Sequence, residues 1–355
     1  MKKKNILFFT VLLVVICITI GVLSREQKSR LSDNISSTDT LLIEQTQRSW
    51  NDVSLKTIQL ESDIQDSLLR PMILKSAGNY LYVGDYGDMK IKRFTLEGKF
   101  VNEIGIGLGK GPGEFTQFMD FYISKDTIHI LDLRKMMVIQ FNVNRNEHIS
   151  SFELNFRPLR ITGVQENLII SKISGSKLFS IYNQKGKKLN QFGEIIKNQT
   201  TNSLSLQGEL VSVNEKAEFV FSPMYASYLM YYNLSGKVNK VVKTIDQRGF
   251  PLSPRRTSGG TRAVSAPQTD MIIADTFRKK NKLYLLYLKK KEKTSDSENG
   301  NLKAFVDVHN LESGEYLSSI ALPIPARGIV IKGEQLYLIR DKDRKIVAYN
   351  IKNNR

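Results

Sequence analysis

The sequence predicts an all-β fold, a six-bladed β-propeller whose N-terminal strand closes the last blade, preceded by one N-terminal transmembrane helix. Three observations predict it. A hairpin motif recurs six times, an almost uniformly apolar strand stands upstream of each copy, and the final repeat lacks its last strand. Recurrence of one supersecondary unit along a chain marks a repeat architecture, in which each unit buries its faces only against its neighbours.

The chain starts with Lys2, Lys3 and Lys4 and continues in an uncharged, mostly apolar run over residues 6–23. At 1.5 Å per residue such a run is about as long as the hydrocarbon core is thick. The basic cluster stays on the cytoplasmic side, so the chain after it faces outward. A cleavable signal peptide is the competing reading, but cleaved signals have shorter apolar cores, which favours a retained anchor. Val14, Val15 and Ile16 precede Cys17 where a lipoprotein signal would place a small residue, so Cys17 reads as an ordinary apolar helix position. Residues 1–24 are therefore assigned as membrane anchor or signal segment, residues 25–51 as a polar tether, and residues 52–355 as the propeller. The propeller is placed on the periplasmic or extracytoplasmic side of a bacterial cytoplasmic membrane.

Each repeat carries an aromatic, then Asn or Thr, and after two or three residues a Gly or Asn. The copies start at Phe94, Phe141, Tyr182, Tyr232, His309 and Tyr349. Gly or Asn accepts the positive φ of a hairpin turn, and an Asn side chain can bond the turn backbone. The strands upstream, such as Tyr80–Gly84, Ile128–Asp132 and Leu336–Arg340, are apolar at nearly every position. That pattern requires burial on both faces, the environment of a propeller strand held between two neighbouring blades. After Ile351 only four residues remain, too few for an outer strand. Ser54–Leu60 is a free strand ahead of the first unit, and it is expected to complete the last blade and remove the exposed sheet edges.

Three features of residues 54–141 carry a resemblance: Leu60-Glu61-Ser62, Tyr82-Val83-Gly84-Asp85, and the glycine-rich Gly109-Lys110-Gly111-Pro112-Gly113-Glu114-Phe115. The stretch resembles the NHL-like and TolB-like six-bladed propellers exported by bacteria. The resemblance implies a fold and export; it implies no reaction.

Length and charge restrict the function further. A chain of 355 residues with one cysteine, inside the apolar run, builds its core without disulfides or cysteine-held metal. A net charge of +17 favours anionic partners, such as acidic glycan or lipid. Export makes nucleic acid an unexpected partner. The glycines from Gly105 to Gly113 precede a strand and not a helix, and no Gly-Lys-Ser/Thr run is present, so they read as a tight link between blades. The three histidines, His129, His148 and His309, are too dispersed for a three-imidazole zinc centre. No Gly-x-Ser-x-Gly nucleophile elbow occurs.

Two functional readings remain. In the first, the protein is a binding module without a cofactor. Propeller connectivity puts the inter-blade links and the turns between second and third strands on one face, and all the long insertions fall there. The insertion over residues 246–268 carries Arg248, Arg255, Arg256 and Arg262, suited to bidentate grips on carboxylate or phosphate. Lys289, Lys290, Lys291 and Lys293 open the next insertion, with Arg278, Lys279, Lys280 and Lys282 expected nearby. The expected partner is a protein or an anionic glycan or lipid. In the second reading, a calcium-type hydrolase or lyase works at the propeller axis with Asp120, Glu209, Asp270 and Asp275 as ligands. Asp85 and Asp132 end equivalent strands, where capping of the following turn is expected.

Overall fold

The repeated Asn does in the structure what its chemistry suggests. Asn183 Oδ1 accepts from the Lys185 and Lys187 backbone N–H groups, and Asn233 Oδ1 accepts from those of Ser235 and Lys237. Gly186 and Gly236 follow at φ +84° and +92°, conformations that a side chain would strain. The computed structural model describes residues 47–173, 176–196, 203–250, 269–290 and 302–353, with residues 31, 35, 38 and 40–42 ahead of them.

These hairpins join strands into six four-stranded antiparallel units. Blade 1 holds β3 (Pro71–Ala77), β4 (Tyr80–Asp85), β5 (Lys90–Thr95) and β6 (Phe100–Ile104). Blade 2 holds β7 (Phe118–Ser124), β8 (Thr127–Asp132), β9 (Met137–Asn142) and β10 (Glu147–Glu153). Blade 3 holds β11 (Pro158–Val164), β12 (Asn167–Lys172), β13 (Phe179–Asn183) and β14 (Lys188–Phe192). Blade 4 holds β15 (Gly208–Val213), β16 (Glu218–Pro223), β17 (Tyr228–Asn233) and β18 (Val238–Lys243). Blade 5 has the longest strands, β19 (Met271–Lys279), β20 (Lys282–Lys290) and β21 (Leu302–Asn310), followed by β22 (Tyr316–Ala321). Blade 6 contains β23 (Ala326–Lys332), β24 (Gln335–Arg340) and β25 (Ile346–Asn353).

The missing outer strand of blade 6 is β2 (Val53–Ile58), paired antiparallel to β25 from Val53↔Asn353 to Ile58↔Ala348. A strand from ahead of the first blade thus closes the ring, as the short last repeat requires. Hydrophobic clusters between adjacent blades hold it shut. Tyr232 stacks on Phe219 at 5.4 Å and meets Phe179 edge-on at 5.1 Å, offset and edge-on geometries that add to the burial term. His309 replaces the aromatic in blade 5: it is fully buried, and its Nδ1–H donates to the Gly314 carbonyl at 3.0 Å.

The segment ahead of β2 departs from the expected tether. β1 (Thr40–Leu42) runs parallel to β18 along the outer edge of blade 4. Next along the chain, Ser49 and Asn51 exchange backbone hydrogen bonds with Ser319 of β22, and Trp50 meets Phe305 edge-on at 5.9 Å. Arg48 inserts between blades 4 and 5. Its guanidinium pairs with Asp307 at 3.0 Å and Asp246 at 2.5 Å and lies 4.3 Å from the centre of the Phe305 ring. The propeller boundary therefore lies ahead of residue 52. The physical reason is edge protection: an outer strand has unpaired backbone groups, and even polar chain can pair with them. The membrane segment expected over residues 6–23 lies outside the described residues. Among the described residues no helix is long and apolar enough to cross a membrane.

Candidate functional site

The inner strands β3, β7, β11, β15, β19 and β23 surround the axis, and their registers bring several charges to one level. Every blade except the fourth has a β-bulge near the start of its inner strand. Aligning each inner strand on its second strand puts Ile73, Asp120, Arg160, Glu209, Asp275 and Gly328 at equivalent positions. A bulge leaves a backbone N–H without its ladder partner. Two of the carboxylates accept from a backbone N–H of the next blade's inner strand, just past its bulge. Asp120 accepts from Ile161 N at 2.9 Å, and Asp275 accepts from Ile329 N at 2.9 Å.

The cations of this level come from β3 and β11. Lys75 Nζ pairs with Asp120 at 2.6 Å and donates to the Phe121 carbonyl at 2.7 Å. Arg160 Nε pairs with Glu209 at 2.7 Å. Tyr86, in the turn after β4, stands near Arg160 and Asp120, and burial pushes its hydroxyl up to about 12. Asp275 has no ion pair among the described residues. Burial and the Glu209 charge push its carboxyl up to about 7, against the lowering effect of two backbone hydrogen bonds and Lys75.

Three of the four acids expected at the axis, Asp120, Glu209 and Asp275, thus share one level. Asp270 does not: it is exposed ahead of β19, and its backbone carbonyl accepts from Lys290 N. Among the described residues no group of three His, Cys, Asp or Glu side chains is arranged to hold a metal ion. The histidines are also apart from the axis. His129 is buried inside blade 2, where Gln140 Nε2 donates to its Nδ1 at 3.1 Å and burial lowers its pKa to about 4. His148 meets Ser151 on the outer strand at 2.8 Å.

The inter-blade links start from the same end. Asp85 accepts from the backbone N–H groups of Leu69, Arg70 and Gly87, and Asp132 accepts from those of Thr116, Gln117, Arg134 and Lys135. Each carboxylate therefore caps both its own turn and the incoming link. The glycine-rich link folds on itself: Glu114 accepts from Gly111 N at 2.7 Å, and Lys135 Nζ donates to the Gly111 and Glu114 carbonyls. With Gly111 N bound by the link's own carboxylate, this is a braced crossover. It presents Leu108 and Ile106, 72 % and 59 % exposed, beside Met136 at 38 %. Leu69, in the preceding link, is 69 % exposed.

The arginine insertion is only partly in view. Arg255, Arg256 and Arg262 lie outside the described residues. Arg248 turns inward and donates to the Met271 carbonyl and to Thr269 Oγ1 at 3.2 Å, tying the start of the insertion to β19. The lysines expected beside Lys289 are displaced. Lys279, Lys280 and Lys282 form the turn between β19 and β20, and Lys289 stands at the far end of β20. A nine-residue strand spans about 30 Å, so the two groups occupy opposite faces. Sequence reasoning missed Lys75, Arg160 and Tyr86. Alignment of the inner strands on their bulges was the signal that could have found Arg160; Lys75 stands two residues past the equivalent position, Ile73.

No functionally curated protein matches the chain in sequence. Similar solved structures include a Bacteroides fragilis protein thought to be exported. It is 11% identical with a TM-score of 0.60, over 89% of this chain and 99% of that one. Another is a Bacteroides vulgatus member of the DUF4221 family, also 11% identical, with a TM-score of 0.58 over 85% of this chain and 99% of that one. At this identity the likeness is one of fold. The model of the DUF5128 family, described as a six-bladed beta-propeller, matches residues 30–249, and the chain belongs to that family.

Proposed function

We propose that the protein is an extracytoplasmic, membrane-anchored binding module that engages a protein partner with the loop-rich end of its ring. The observation that carries the reading is the contrast at that end between paired charge and exposed apolar surface. Asp120 and Glu209 are held by Lys75 and Arg160, while the braced link displays Leu108 and Ile106. Large apolar side chains held out by a rigid loop suit the desolvated centre of a protein interface. Between an anionic polymer and a protein, the described surface favours the protein. Arg255, Arg256 and Arg262 would add an anionic contact from the neighbouring insertion. The calcium reading is less well supported, because a metal would have to displace two short ion pairs. Anchoring and export rest on Lys2–Lys4 and the apolar residues 6–23. The resemblance to NHL-like and TolB-like exported propellers agrees with them, as does the assignment of the Bacteroides fragilis relative as exported.

A photo-crosslinking amino acid at position 108 of the full chain, in its own bacterium, tests the reading. A discrete protein adduct is expected from position 108 and none from position 187, on the short-hairpin face. Equal adducts from both positions, or none from 108, would overturn it.

A further inference from the structure

The turn between β19 and β20 carries Lys279, Lys280 and Lys282, on the face opposite the proposed partner site. It opens onto a groove between blades 5 and 6. Two compartments, about 480 Å³ and about 440 Å³, share Lys279, Lys282 and Tyr284 as common walls. The first is floored by Val53, Val308, Ile320, Ile331 and Ile351, side chains of both blades. The second is edged by Lys280, Asn281 and Asn310. Lys352 stands at the blade 6 margin, and Glu334 is the one acid among the described residues lining either compartment. The lysines crowd one another: burial and the Lys280 charge hold Lys279 below the ordinary lysine range, with Lys282 acting in the same sense and Glu334 against it.

The asymmetry suggests an occupant. Volumes of this size are those of small-molecule sites, which are apolar with a few placed polar groups. Lys279 Nζ donates to the Gly333 carbonyl, and among the described residues Glu334 is the one carboxylate set against the three lysines, so a net positive charge stands at one end of an aliphatic trough. A ligand with an anionic head and an apolar body relieves the repulsion and covers the trough together. We propose that the blade 5–6 groove binds a small anionic amphiphile, its carboxylate or phosphate head among Lys279, Lys280 and Lys282 and its chain along Tyr284, Val308, Ile320 and Ile331. The site is independent of the loop-rich end.

Calorimetric titration of the full chain with octanoate, hexyl phosphate, inorganic phosphate and octyl glucoside tests this. Saturable one-to-one binding of octanoate or hexyl phosphate is expected, at least tenfold tighter than inorganic phosphate or octyl glucoside. Whichever anion binds more tightly identifies the head group. The affinity should fall as salt rises from about 0.05 to 0.5 M, because screening shortens the reach of the lysine charges. A variant with Lys279, Lys280 and Lys282 all changed to Gln should lose at least tenfold in affinity with its melting temperature retained. No saturable binding, or unchanged affinity in that variant, would overturn the proposal. So would inorganic phosphate or octyl glucoside binding as tightly as the amphiphiles, since the head or the trough would then act alone.

Discussion

The two ends of the ring use charge in opposite ways. At the loop-rich end, Lys75 and Arg160 each find a carboxylate of the adjacent blade at 2.6 and 2.7 Å, and Asp120 also accepts from the Ile161 backbone N–H of the next blade. At the short-hairpin end of blades 5 and 6, three lysines share one turn and line a groove with a single acid. Paired charge across a seam fixes the angle between blades. Like charges crowded on one turn repel and do not by themselves stabilise the fold. The same distinction separates Arg48, clamped between Asp246 and Asp307, from the lysines.

The largest effect expected is on ring closure. Deleting residues 53–58 removes the outer strand of blade 6 and exposes β25 as a new edge, so cooperative melting should be lost and the protein should aggregate. A monomer that still melts cooperatively would break the closure account. Next is Arg48→Ala. It leaves Asp307 buried beside Ser319 without its cation, which should cost about 3 kcal/mol in denaturant unfolding, as expected when one partner of a buried pair is removed. A loss below about 0.5 kcal/mol would make the segment before β2 a passive tether after all.

A smaller effect is expected from Asp275. Its folded-state carboxyl titrates at about 7, above the ordinary carboxylate value. The folded state therefore binds more protons than the unfolded state between about pH 4 and 7, and stability falls as pH rises through that window. Asp275→Asn should flatten this fall, so the variant gains on the native protein above pH 7. An unchanged slope would mean that Asp275 is ionised and compensated. The smallest effect is at His309. Changing it to Phe restores the aromatic of the other repeats and removes one buried hydrogen bond, for a net change of about 1 kcal/mol or less.

The fold was legible because its determinants are local. The Asn and Gly of each hairpin, and strands apolar on both faces, declare a propeller without knowledge of any contact, and the short last repeat declares β2. The axial level was half legible. Asp120, Glu209 and Asp275 stand out as acids in apolar strands, but their cations depend on where each bulge shifts the register, and Arg160 reads as an ordinary strand residue until that shift is counted. The lysine turn was misplaced because it joins β19 to β20 while Lys289 lies at the other end of β20, and an extended strand carries its two ends to opposite faces of the ring. Residues 40–42 and 49–51 carry no apolar periodicity, so their pairing with β18 and β22 left no mark on the sequence. The glycine-rich link was read correctly as a crossover, but its internal brace through Glu114 and Lys135 needs the folded geometry.

The contrast between paired and unpaired charge is tested most directly by comparing two melting temperatures. Arg160→Met breaks the pair with Glu209 and should lower the melting temperature by about 6 °C, corresponding to about 3 kcal/mol for a chain of this size. Changing Lys279, Lys280 and Lys282 together to Gln removes three charges and should leave it unchanged or slightly raised. An equal loss in both variants would contradict the account, because the lysines would then belong to the fold and not to a ligand.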